Sequence, residues 1–83
     1  MSVTTSTMAP NQTIVHEADK RSFFSYDTLI ATDDYEAGTT TLTNDWNYSK
    51  TTTKYLARYL GIDGAGATAE IRRRIADGRY TVK

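Results

Sequence analysis

The stretch SFFSYDTLIATDD, residues 22–34, alternates Phe24, Tyr26, Thr28 and Ile30 with Phe23, Ser25, Asp27 and Leu29. Successive side chains of an extended chain point to opposite faces, and aromatic and β-branched residues suit a pleated surface, so a period of two predicts a strand. Apolar groups fall on both sets, which predicts a sheet with one face against helices and the other partly wet. DDYEAG (33–38) follows with turn-forming residues, and TTTLTND (39–45) returns as a second strand of threonines around Leu42. The two are expected to pair as a hairpin with Asp33, Asp34 and Glu36 at its tip.

At Ser49 the period lengthens. In WNYSKTTTKYLARYLGI (46–62), Thr52, Leu56, Tyr59 and Leu60 form one stripe at helical spacing, and the Ser49 hydroxyl is placed to cap a first-turn amide. Gly61 supplies the left-handed residue that ends a helix, with Ile62 folding back on Leu56 or Ala57. DGAGA (63–67) reads as a flexible break. Thr68 predicts a second N-cap, Glu70 suits the first turn of a helix running to about Asp77, and Gly78 closes it. RYTVK (79–83) alternates again, with Tyr80 and Val82 on one side.

Residues 1–12 are rich in Ser and Thr, hold the only proline, Pro10, and show no apolar period, which predicts a disordered tail. Ile14–Val15 offers no more than a short edge strand. The expected architecture is one α+β domain over residues 13–83. It has a small antiparallel sheet of three to four strands and two helices packed on one face, in the order β-β-α-α-β.

An 83-residue chain has room for one domain, which buries only about 60% of the surface its unfolded chain exposes, so a deep catalytic cleft is hard to build. Basic and acidic residues number ten each, so no net field draws the chain to DNA, membranes or acidic substrates. Electrostatic recognition then falls to local patches. There is no cysteine and a single histidine, His16, which excludes disulfides, thiolate sites and multi-histidine metal sites. His16 reads as ordinary surface. No run approaches the roughly 20 apolar residues of a membrane-spanning helix, and the first residues lack a basic start and an apolar stretch. A cytoplasmic protein with no membrane partner is expected. Asp33, Asp34 and Glu36 sit on a wet turn, where nothing separates their pKa values for acid and base roles. With no triad, metal box or cofactor fingerprint, the expectation is no enzyme, no catalytic residue, no metal and no cofactor.

Three features remain as candidate contacts. SKTT (49–52) joins hydroxyls and Lys50 to a helix start, but TNDWNY (43–48) lacks the glycine-rich turn that cradles a nucleotide's phosphates, so Ser49 is read as a cap. Lys50, Lys54 and Arg58 recur every four residues on the side away from Leu56 and Leu60. With Trp46, Tyr48 and Tyr55 they form the expected partner-binding surface, since aromatic residues and arginine dominate binding hot spots; the other reading of Trp46 and Tyr48 is a staple between the hairpin and the helix. Arg72, Arg73 and Arg74 form the densest charge run. Glu70 is spaced to pair with Arg74 and Asp77 with Arg73, which leaves Arg72 freest.

Two resemblances carry function. TTKYLARYLGIDGAGATAEIRRRIADGRYTV (52–82) resembles the helix-turn-helix stretch of excisionase-type and winged-helix DNA binders through Ala57, Leu60, Gly61, Ile62, Thr68, Ile71, Ile75 and Gly78. That resemblance implies that Thr68, Arg72, Arg73 and Arg74 contact nucleic acid. The connection at DGAGA is longer than such turns, and the neutral net charge is unlike most DNA-binding domains. SYDTLIA (25–31) with YSKTTTKYL (48–56) is similar to short uncharacterised proteins of phages and other mobile elements, which pair a Ser-Tyr-x-Thr strand with a Tyr-Ser-x-Thr-Thr helix start. That similarity implies a compact accessory protein that binds a host or viral protein, a bacterial defence component among them, in a bacterial host's cytoplasm. The leading expectation is therefore a protein-binding accessory domain. DNA binding by the 68–77 helix and homodimerisation through sheet edges or the Tyr55/Tyr59 face are the alternatives.

Overall fold

A computed structural model describes residues 3–62 and 66–83. The chain forms β1 (Thr4–Ala9), β2 (Gln12–His16), β3 (Lys20–Ser25), β4 (Thr28–Asp34), β5 (Thr39–Leu42), α1 (Lys50–Leu60), α2 (Ala67–Ala76) and β6 (Tyr80–Val82). The six strands lie in chain order in one sheet. β1 to β5 pair antiparallel, and β6 joins β5 in parallel. The two helices and the α+β class match the expectation. The three-to-four-strand antiparallel sheet and the β-β-α-α-β order are corrected to a six-stranded mixed sheet with five strands before the first helix.

Turn chemistry explains the correction. Ser25 pairs with Thr28, so Tyr26 and Asp27 form a two-residue corner inside what reads as one strand. Tyr26 takes φ 57, a left-handed conformation that side chains other than Gly, Asn and Asp seldom adopt, and no sequence rule marks a tyrosine for it. In the region read as a tail, Ala9 pairs with Gln12 across Pro10 and Asn11. Proline presets the first corner of a tight turn, and Asn11, at φ 65, is a residue that tolerates the left-handed second corner. Pro10 thus turns a hairpin. The parallel β5–β6 pair follows from residues 43–79, which carry both helices back across one face as parallel neighbours require.

Register places Ile14, Phe23, Ala31, Leu42 and Tyr80 on the helix-facing side. A β-bulge at Ile30 breaks the alternation, so Ile30 and Ala31 are both fully buried. With Trp46, Leu56, Tyr59, Ile62 and Ile71 these strand residues form one core. The opposite face carries Thr13, Val15, Phe24, Leu29 and Thr41, half-buried or exposed.

α1 begins and ends as its sequence dictates. Ser49 Oγ accepts from the Thr52 amide at 3.1 Å, Gly61 closes the helix at φ 76, and the Ile62 amide returns to the Ala57 carbonyl. Thr52 is fully buried, and its hydroxyl meets Ser25 Oγ at 3.1 Å and Ser49 Oγ at 3.0 Å. The Ser-Tyr-x-Thr and Tyr-Ser-x-Thr-Thr segments therefore touch through a buried hydroxyl chain that fixes the helix start on the sheet. α2 differs from expectation. Its N-cap is Gly66 without a side-chain cap bond, and Thr68 lies within the first turn. The part of the expected flexible break at 63–65 lies outside the described residues.

Candidate functional site

A groove of about 1130 Å³ opens between α1 and the N-terminal half of α2. Its charged border consists of Lys50, Lys54 and Arg58 from α1 and Arg72 from α2, with Tyr48 and Thr68 beside them. Thr53, Ala57, Ile62 and Ala67 supply a floor of small and apolar groups. The structure thus gathers four of the expected partner-binding residues and two of the expected nucleic-acid-binding residues into one concavity. The floor escaped sequence reasoning, although Thr53 and Ala57 recur at the same i,i+4 interval as the cations beside them.

None of the four cations lies within 4 Å of a carboxylate among the described residues. Three rest over aromatic rings instead. Lys54 Nζ and the Arg58 guanidinium each lie 5.4 Å from the Tyr55 ring centroid, and the Arg72 guanidinium lies 5.3 Å from that of Trp46. A ring face orients a cation for about 0.5–1 kcal/mol at an exposed site while leaving its full positive charge for another partner. Tyr48 is 54% exposed and stands at the groove's edge. Trp46, offered for the partner surface or as a staple between hairpin and helix, is a buried core residue, and Tyr55 is half-buried against the core. Both bear on the groove only through the cations that rest on their rings.

Arg73 and Arg74 are spent elsewhere. Glu70 accepts from both, at 2.7 Å and 2.8 Å, Arg73 also reaches Asp77 at 4.0 Å, and Arg74 donates to the Tyr80 hydroxyl at 2.7 Å. Hydrogen bonds from the two guanidinium groups hold the Glu70 carboxyl below its ordinary pKa. Two of the three arginines offered for nucleic acid are therefore paired within the chain. Tyr59, offered as part of a dimer face, is buried.

A second polar cluster was not expected. Asp33, read as a loop acid, accepts from Arg21 Nε at 2.6 Å and from the Thr40 hydroxyl at 2.6 Å. The Arg21 guanidinium lies 4.3 Å from the Tyr59 ring centroid and donates to the Tyr59 carbonyl at 3.1 Å, while the Tyr59 hydroxyl donates to the Arg21 carbonyl at 3.1 Å. These bonds fasten the C-terminal end of α1 to β3, β4 and β5.

Burial, assisted by the Asp33 charge, pushes the Tyr59 hydroxyl well above the ordinary tyrosine pKa. The folded chain holds that proton more tightly than the unfolded chain, so the contribution is complete below the unfolded tyrosine pKa of about 10 and is lost as pH rises beyond it. Tyr59→Phe is expected to cost about 1 kcal/mol at neutral pH through the lost hydrogen bond. The gap from wild type should close above about pH 10. Urea unfolding of both proteins at neutral and alkaline pH checks this, and a gap independent of pH would contradict it.

Global neutrality conceals a segregation of charge. Residues 1–45 hold seven acids and two bases, whereas residues 46–83 hold eight bases and three acids. The sheet region is acidic and the helical region basic. A six-stranded sheet with two helices over one face, bearing a cationic groove between them, defines a small α+β domain with one strongly polarised surface. The chain belongs to DUF8033, a family of unknown function whose profile matches residues 1–78. No curated protein and no solved structure matches it. Among the described residues, no helix is long and apolar enough to cross a membrane, and no cluster of His, Cys, Asp or Glu is arranged to hold a metal ion.

Proposed function

We propose that this protein is a non-enzymatic binding domain whose α1–α2 groove receives an acidic segment of a partner protein, as an accessory protein of the phage or mobile-element type acting in a bacterial cytoplasm. The observation that carries the reading is the set of four cations, Lys50, Lys54, Arg58 and Arg72, around a floor of small groups, with no carboxylate among the described residues of the lining. Such a concavity suits a chain that presents carboxylates at its edges and a small or aromatic side chain at its centre. A protein suits it better than duplex DNA, because Arg73 and Arg74 are engaged by Glu70 and the acidic sheet region repels a phosphate backbone. Among the described residues, the lining contains no carboxylate, histidine or cysteine, the usual proton-transfer groups and thiol nucleophile, which supports binding over catalysis.

Titration of a fluorescent peptide of alternating Glu and Tyr tests this. Binding at low salt is expected, weakening as salt rises and falling at least about tenfold in the double variant Lys54→Glu, Arg58→Glu, with little change in Arg73→Ala. No binding, or equal binding by the double variant, refutes the proposal. Tighter binding of duplex DNA, lost in Arg72→Ala, replaces it with the nucleic-acid reading.

A further inference from the structure

A counter-charge that suits the groove lies on the same chain, in its acidic half. The β2–β3 and β4–β5 turns meet at one end of the sheet, where the Tyr35 amide donates to the Asp19 carbonyl at 2.9 Å. Asp34 Oδ1 accepts from the Glu36 and Ala37 amides at 3.0 Å each, which fixes the shape of the second turn. Glu17, Asp19, Asp34 and Glu36 surround this end, and none lies within 4 Å of a basic group among the described residues. Lys20 stands beside them without forming such a pair. At the centre Tyr35 projects, 54% exposed.

We infer that the cationic groove of one copy receives the Tyr35 turn of a second copy, so that the protein associates head to tail. The inference rests on the groove reading proposed above and names a partner for it. Four carboxylates on two turns joined by a backbone hydrogen bond face four cations, three of them held over ring faces, and an aromatic group meets a floor formed by Thr53, Ala57 and Ala67. Because both surfaces are ordered before they meet, little side-chain and loop freedom remains to be lost on contact. Tip and groove are different surfaces, which makes the contact heterologous. Each added copy leaves one tip and one groove open, and growth continues past a dimer unless the rotation closes a ring. An external acidic protein competes with this contact for the same groove.

Sedimentation equilibrium of the whole chain tests the inference. Wild type is expected to exceed its monomer mass of 9.3 kDa at high protein concentration in low salt and to return to it in about 0.5 M salt, where charges are screened beyond a few ångströms. A tip variant, Asp19→Lys with Glu36→Lys, and a groove variant, Lys54→Glu with Arg58→Glu, should each associate at least about tenfold more weakly. Mixing the two should restore association, since the reversed tip now fits the reversed groove. All four positions are exposed, and far-UV circular dichroism checks that both variants fold. A wild type that stays monomeric at every concentration, a groove variant that still assembles, or a mixture that stays apart overturns the inference. If wild type is monomeric yet binds the acidic peptide, the inference falls and the groove reading stands; if it does neither, both fall.

Discussion

Phe23→Ala is expected to destabilise the protein by about 3–5 kcal/mol, enough to leave much of the chain unfolded at room temperature. Phe23 is fully buried at the centre of β3, and its ring stacks on Tyr59 at 5.5 Å between centroids. Removing the ring deletes its apolar burial, opens a cavity under α1 and takes away the surface that aligns Tyr59. A small domain whose total stability is on the order of 5 kcal/mol has little reserve against such a loss. Phe24→Ala is the internal control, because Phe24 lies half-buried on the opposite face and pairs with the exposed Leu29. Its cost should be less than about half as large. Urea midpoints of the two variants decide the matter, and equal losses would mean that the assignment of the two sheet faces is wrong.

The second large effect belongs to Asp33. Asp33→Ala removes the acceptor of both Arg21 and Thr40 and leaves a guanidinium, with its side chain 31% exposed, against Tyr59 without its counter-charge. Breaking a buried ion pair from one side costs about 3–5 kcal/mol, and the partial exposure of Arg21 reduces that to about 2 kcal/mol here. The double variant Arg21→Met, Asp33→Ala should recover part of the loss, because no charge is then stranded. Glu36→Ala, three residues away on the exposed turn, should change stability by less than about 0.5 kcal/mol. A single Asp33 variant as stable as wild type would show that the Arg21–Asp33–Tyr59 cluster does not fasten the helix.

Most of the helical half was legible in the sequence because its signals are local, although the cap expected at Thr68 falls instead at Gly66. Ser49, Gly61, Ile62 and Gly78 act on backbone groups within a turn of themselves, and their bonds form as expected. The sheet was less legible because its decisive features are conformations of single residues. A tyrosine at φ 57 divides SFFSYDTLIATDD into two strands, and a Pro-Asn corner turns an apparent tail into a hairpin whose strand residues are mostly threonine and serine. Neither leaves a hydrophobic period to read. For the candidate site, the stripe of Lys50, Lys54 and Arg58 is visible as a spacing. Its convergence with Arg72 is not, since that depends on how α2 lies against α1. Trp46 shows the complementary limit: a large aromatic beside a helix start reads equally as an anchor for a partner or as core, and only packing decides.

The order of the strands also sets the order of assembly. From β1 to β5 each pairing is closed by a short turn, so those ladders form from neighbours at small entropic cost. β6 reaches β5 only after residues 43–79 have been drawn back over the sheet. The docking of the helical segment, which closes the longest loop between paired strands, is therefore the expected slow event in folding. During synthesis the five-stranded meander can form first, while the surface that seats α1 and α2 waits uncovered until the helices follow.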